Sequence, residues 1–172
     1  VSRDAGKTRD RGKLYAVGRV VLFVPHGANI EPDDSLADFR AAATDGRLRK
    51  LAIANPLHAP YGMRAREALQ HMGLWDAVSA HLVLGENIAQ TAQFALTGAV
   101  DASLIALSLV HAPGFADRGR FVLIPADWHQ PLRQRMVVLD RAQPTAQAFN
   151  AYLGTPAARA ILHRHGFTLP AP

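Results

Sequence analysis

Apolar and polar positions along this chain follow two periods. Short β-branched or apolar runs without helical spacing read as strands, and three-and-four spacing reads as helix. The run YAVGRVVLFVP, Tyr15 to Pro25, predicts one strand. Asp33 and Asp34 before Ser35 are placed to cap a helix reaching about Thr44, with Leu36, Phe39, Arg40 and Ala43 at its spacing. Leu51 to Ala54 predicts a short buried strand, followed by the loop Asn55-Pro56-Leu57-His58-Ala59-Pro60. A helix is predicted from about Pro60 to Met72, with Ala65, Ala68, Leu69 and Met72 as its stripe and Gly73 as its stop. His81 to Leu84 is the next strand. Asn87 then caps a helix, with Gln90 three residues on, and Gly98 ends it. Strands at Ala102–Leu107, near Phe121–Ile124 and near Arg135–Leu139 follow, then helices near Thr145–Leu153 and Pro156–Arg164. Strands alternating with helices predict an α/β layered domain on a largely parallel sheet.

Composition narrows the functional classes. At 172 residues, 49% apolar and 19% charged, the chain can bury a core. The net charge of +5 comes mainly from Arg and favours anions in general. The densest basic stretch, Arg3, Lys7, Arg9, Arg11 and Lys13, is diluted by Asp4 and Asp10 and has no interleaved aromatics, so a solvated tail is expected rather than a nucleic-acid surface. There is no cysteine, which excludes disulfides, thiolate metal sites and Cys nucleophiles. No apolar run reaches the length of a membrane span, and the opening VSRDAGKTRDRGK has no apolar signal core: either a signal was removed along with other sequence, or there was none.

Two places repeat one pattern, in which a short buried strand ends, a loop with Gly, Pro or Asn follows, and a helix begins. They are LAIANPLHAPYG, leading into the helix at Tyr61, and LVLGEN, leading into the helix at Ile88. In open α/β sheets ligands bind where loops leave the carboxyl ends of strands. A helix start offers unpaired N–H groups and roughly half a positive charge. Two starts at one sheet edge would form an anion site without a charged side chain; starts on opposite faces would exclude a shared site. Most strand–loop–helix turns bind nothing, so the pattern alone leaves function open.

The wording of the segments adds more. YAVGRVVLF, IANPLHAPYG, GLWD, LVLGENIAQTAQFALTG and AQAFNAYLGTPAARAILHRHGF stand in this order. Together they resemble the molybdate-binding proteins of molybdate ABC transporters, which are type II periplasmic binding proteins. The resemblance runs from about Tyr15 to the C-terminus. It implies an α/β fold of two lobes, here one complete lobe at 15–137 with hinge strands at its ends, a polar tail at 1–14, and a helical return at 138–172 to a first lobe that is mostly absent. It implies a ligand, molybdate or tungstate, held by backbone N–H groups at Tyr61 and Ile88, with Pro60, Gly62, Asn87 and His58 around them. It implies no cofactor and no metal apart from the oxyanion. The partner it implies is a membrane permease, and the setting is periplasmic or extracytoplasmic, with the protein a monomer that binds no nucleic acid. In some members a Tyr on the strand matching Leu104–Leu107 reaches the anion; here Ala106 or a neighbour stands there, and Tyr61 is expected to contribute its backbone alone. Without the first-lobe Ser or Thr donors of the family, binding by the isolated chain is expected to be weak or undetectable by calorimetry, with exposed apolar faces on the helices after Leu139.

Other residues carry blander readings. For His58 a loop-ordering hydrogen bond outweighs contact with an anion. Glu86 before a helix start is a dipole partner rather than a catalytic carboxylate. His163 and His165, two apart on a helix, do not make a metal pair. Ser103 and Ser108 lack a nucleophile elbow, so no enzyme is expected. Trp75 is expected in the core. Two other functional readings stay open: an effector-sensing domain of a cytoplasmic regulator, and a fragment without binding function.

Overall fold

The computed structural model describes residues 12–115 and 117–171. The first eleven residues of the expected tail, including Arg3, Lys7, Arg9 and Arg11, lie outside the described residues. The described residues divide into two compact units, one within 19–132 and the other combining 12–18 with 133–171.

The larger unit is a five-stranded sheet with helices on both faces. Its strands are β2 (Val20–Pro25), β3 (Leu51–Ala54), β4 (Leu82–Gly85), β5 (Ala102–Ala106) and β6 (Gly119–Leu123), and β1 (Lys13–Gly18) precedes them in the other unit. Their spatial order is β4-β3-β5-β2-β6. β3 pairs parallel with both β4 and β5, while β2 lies antiparallel between β5 and β6. The expected parallel sheet is thus interrupted by one reversed strand that comes from near the start of the chain.

All six residues of β2 are buried, which is why its sequence reads as a continuous apolar run. Val20, Leu22 and Val24 face one core and Val21 and Phe23 the other. Each fully buried Leu, Val or Phe contributes about 1.5–3 kcal/mol, and β2, like β3 and β5, supplies both layers. The first core is closed by α1 (Ala37–Asp45), α2 (Pro60–His71) and α3 (Trp75–Ser79), and the second by α4 (Ile88–Leu96) and α5 (Leu107–Val110).

Several elements differ from expectation. The run Tyr15–Pro25 is two strands, since β1 ends at Gly18 and β2 begins at Val20. The two join different sheets, β1 pairing with β7 (Leu132–Met136). An apolar run records burial, not which sheet supplies it. The helix expected from Ser35 starts at Ala37, because Leu36 takes a left-handed conformation at φ 56°. Asp33 reaches forward to accept from Ala37 N at 3.3 Å and Asp38 N at 3.1 Å. The Ser35 hydroxyl first, then these amides, hold the Asp33 carboxyl down at about 2. Trp75 opens a short helix and is only partly buried, with the Arg66 guanidinium 5.0 Å over its ring.

The smaller unit holds β1, β7, α6 (Pro144–Tyr152) and α7 (Pro156–Arg164). β1 takes in Lys13 and Leu14, which the sequence reading leaves in the tail. Val17 and Thr168 exchange backbone hydrogen bonds at 2.7 and 2.9 Å, tying the end of the chain to β1. No residue of α6 is buried. Leu139, Phe149, Tyr152 and Ile161 stand exposed, the apolar surface expected after Leu139.

Candidate functional site

β3 and β4 are adjacent, parallel and in register, with Ala54 opposite Gly85. Each is the last residue of its strand, so the two following loops leave the sheet side by side. The ladder runs one bond further, Asn55 N donating to Gly85 O at 2.7 Å.

The first loop is shaped by Asn55. Its side-chain oxygen accepts from Leu57 N at 3.0 Å and its carbonyl from Ala59 N at 2.9 Å. Ala59 is extended, at φ −94° and ψ 123°, and Pro60 is the first residue of α2. Proline loses nothing at that position, where the N–H has no intrahelical acceptor. Tyr61 and Gly62 follow in the first turn. The Tyr61 side chain is partly buried and packs against the first core. Gly62 presses on the strand end: a Cβ there would stand 2.0 Å from Ala54 O. Glycine is required for this approach of helix to strand.

The second loop is shorter and capped by a side chain. Asn87 is extended, at φ −151° and ψ 173°, and its Oδ1 accepts from Gln90 N at 2.9 Å. Gln90 Oε1 in turn accepts from Glu86 N at 2.7 Å. This is a capping box displaced by one residue, since the amide satisfied is that of Glu86 rather than of the cap itself. Ile88 opens α4, with its side chain against the second core. A helix leaves its first N–H groups without intrahelical acceptors, and in α4 these belong to Ile88 and Ala89. Gly85 repeats the role of Gly62, since a Cβ there would meet Thr91 Oγ1 and, at 2.9 Å, Thr91 N.

α2 and α4 go on to cover opposite faces of the sheet, α2 with Leu51 and Ile53, α4 with Ala52 and Ile105. The helix bodies diverge, but the strand ends and loops do not. His58 Nε2 lies 3.0 Å from Glu86 O and 3.5 Å from the Glu86 carboxylate, spanning the two loops. Ala106 ends β5, which is also parallel to β3, so it lies at the same carboxyl edge of the sheet. Sequence reasoning names Tyr61, Ile88, Pro60, Gly62, Asn87 and His58, and all six lie in these two adjoining turns. It treats Glu86 only as a dipole partner and leaves out Gln90 from the site. The three-residue spacing of Asn87 and Gln90 is the signal for the latter. No comparable signal pairs His58 with Glu86, 28 residues apart. Among the described residues no group of three or more His, Cys, Asp or Glu side chains could hold a metal ion. No described helix is long and apolar enough to cross a membrane.

The chain is similar to the molybdate-binding protein ModA of Azotobacter vinelandii, at 33% identity over 98% of this chain and 66% of that protein. It is also similar to the molybdate-binding protein ModA of Escherichia coli strain K12, at 31% identity over 98% of this chain and 65% of that protein. It therefore spans slightly under two thirds of the length of these relatives. Among solved structures, the Azotobacter vinelandii periplasmic molybdate-binding protein superposes with a TM-score of 0.83 at 25% identity, covering 99% of this chain and 73% of that one. The α/β fold is thus of the periplasmic-binding-protein type. Residues 2–168 match the family described as bacterial extracellular solute-binding protein, and the chain belongs to that family.

Proposed function

We propose that this chain is the solute-binding subunit of an ABC importer, taking molybdate or tungstate as a tetrahedral oxyanion. The donors are the backbone N–H groups of Tyr61 and Ile88 in the first turns of α2 and α4. Pro60, Gly62, Asn87 and His58 shape the turns around them. The observation that carries this reading is the joining of two helix starts at adjacent parallel strand ends, in a chain whose relatives include molybdate-binding proteins. Each N–H bond to a charged acceptor contributes about 1.5–3 kcal/mol. The field of each helix start adds about 0.3–1 kcal/mol where exposed, so hydrogen bonds dominate the binding. Such a site needs no cofactor and performs no catalysis. The setting is extracytoplasmic, the protein a monomer, and the partner of the loaded form a membrane permease. Membership of an extracellular family supports transport over a cytoplasmic sensor.

Amide shifts in a nitrogen-15 NMR titration test the site even when affinity is low. Molybdate and tungstate are expected to move the Tyr61, Gly62, Ile88 and Ala89 resonances. Sulfate, with its smaller radius, is expected to move them less at the same concentration. Shifts confined to other residues, or equal responses to all three anions, would overturn the assignment.

A further inference from the structure

We infer that His58 is the positioning residue of this site: its imidazole clamps the β4–α4 loop to the β3–α2 loop and sets the distance between the two helix starts. The inference rests on the oxyanion reading above and adds the source of its size selection.

The bond at issue ends on a carbonyl, Glu86 O at 3.0 Å. A carbonyl only accepts, so His58 Nε2 carries the hydrogen. The Glu86 carboxylate 3.5 Å away favours the same tautomer. That carbonyl belongs to the peptide joining Glu86 to Asn87, directly before the residue that caps α4. The N–H of Glu86 is already held by Gln90. His58 therefore completes the fixing of residue 86 on both sides, two positions before the Ile88 donor.

The ring is half exposed, and its hold on the first loop is through the His58 backbone. His58 lies within the Asn55 turn, where Leu57 N, His58 N and Ala59 N all donate to Asn55. It stands three positions before Tyr61. The loops are thus joined at two points, Asn55 with Gly85 at the strand ends and His58 with Glu86 beyond them. One link alone would act as a hinge about which the helix starts could spread. Two links hold them at one separation. Anions of the same shape and charge but different radius are then told apart by whether they reach both sets of donors, since hydrogen bonds weaken steeply outside their normal range. The clamp also draws the Glu86 carboxylate toward the imidazole, away from a free choice of positions around Ile88.

The test uses two substitutions at one position in the full chain. His58→Phe keeps a ring of similar size without the N–H donor, and His58→Gln keeps an N–H donor at similar reach. Molybdate and sulfate titrations read by amide shifts give the selectivity ratio, and hydrogen exchange at Asn87 and Ile88 reports the loop. His58→Phe is expected to lower the molybdate-to-sulfate ratio by about three- to tenfold, the effect of one modest hydrogen bond, and to speed exchange at Asn87 and Ile88. His58→Gln is expected to restore most of both. An unchanged ratio in His58→Phe, or a folded His58→Gln that behaves like His58→Phe, would overturn the clamp and leave the oxyanion reading standing. A wild-type chain unresponsive to every anion would instead overturn the oxyanion reading, and with it the clamp as a selectivity device.

Discussion

The two turns at the sheet edge reach the same geometry by opposite means. α2 begins with Pro60 and has no side-chain cap, and α4 begins with Ile88 under the Asn87 cap. In the first, the ring of proline sets the backbone and removes an N–H that needed a partner. In the second, an amide side chain satisfies the third N–H of the helix and leaves the first two exposed. Both turns place a glycine where the helix closes on its strand. At Gly62 the obstacle to a larger residue is a backbone carbonyl, and at Gly85 it is first a side chain. A helix start can thus be prepared by a rigid ring or by a side-chain cap.

The glycines separate the turns most sharply. Gly62→Ala is expected to cost about 3 kcal/mol or more, because Ala54 O cannot withdraw without breaking β3. Gly85→Ala is expected to cost about 1–3 kcal/mol. In a double-mutant cycle by urea denaturation, Thr91→Ala should recover part of the Gly85→Ala loss, and truncating any one side chain should recover none of the Gly62→Ala loss. Equal behaviour of the two glycines would erase the distinction.

Next in size is a substitution that makes the second turn resemble the first. Ile88→Pro removes the proposed donor, and Asn87 already has the extended backbone that precedes a proline. Molybdate binding should weaken by about 1.5–3 kcal/mol with the fold kept, as read by amide-shift titration. Ile88→Ala should weaken binding far less, because the side chain faces the core and not the ligand. Equal losses would exclude the backbone as donor. Smallest is the cap itself: Asn87→Ala is expected to cost about 1 kcal/mol of stability, whereas Pro60→Ala should change it by about 0.4–1 kcal/mol, both by thermal unfolding.

These contrasts follow how much was legible in the sequence. β3 and α7 fall at the expected residues, Leu51–Ala54 and Pro156–Arg164, because both are bounded by strong local signals. Asn87 and Gln90 announce their cap by spacing alone. The break at Arg19 was not legible, since two strands in different sheets share one apolar run. α3 and α5 escaped because five- and four-residue helices carry too little periodicity. At the site, residue types and order pointed to the two turns, and the resemblance supplied the proposed roles of Tyr61 and Ile88. The bond from His58 to Glu86 depends on β3 and β4 being neighbours, which is a property of the sheet and of no local stretch.

The place of β2 in that sheet has a consequence for how the chain is made. Its six apolar residues are synthesised well before their neighbours β5 and β6. Arg19, just before β2, bonds to the carbonyl of Ile124, 105 residues further on. At a synthesis rate of about 5–20 residues per second, that strand waits roughly 5–20 s for its last partner. During that interval VVLFV, ahead of Pro25, is an uncovered, uncharged, β-prone segment, open to capture by a chaperone or by the same segment of another nascent chain. A strand that serves both layers of the finished unit is thus an aggregation hazard while the chain is still being made.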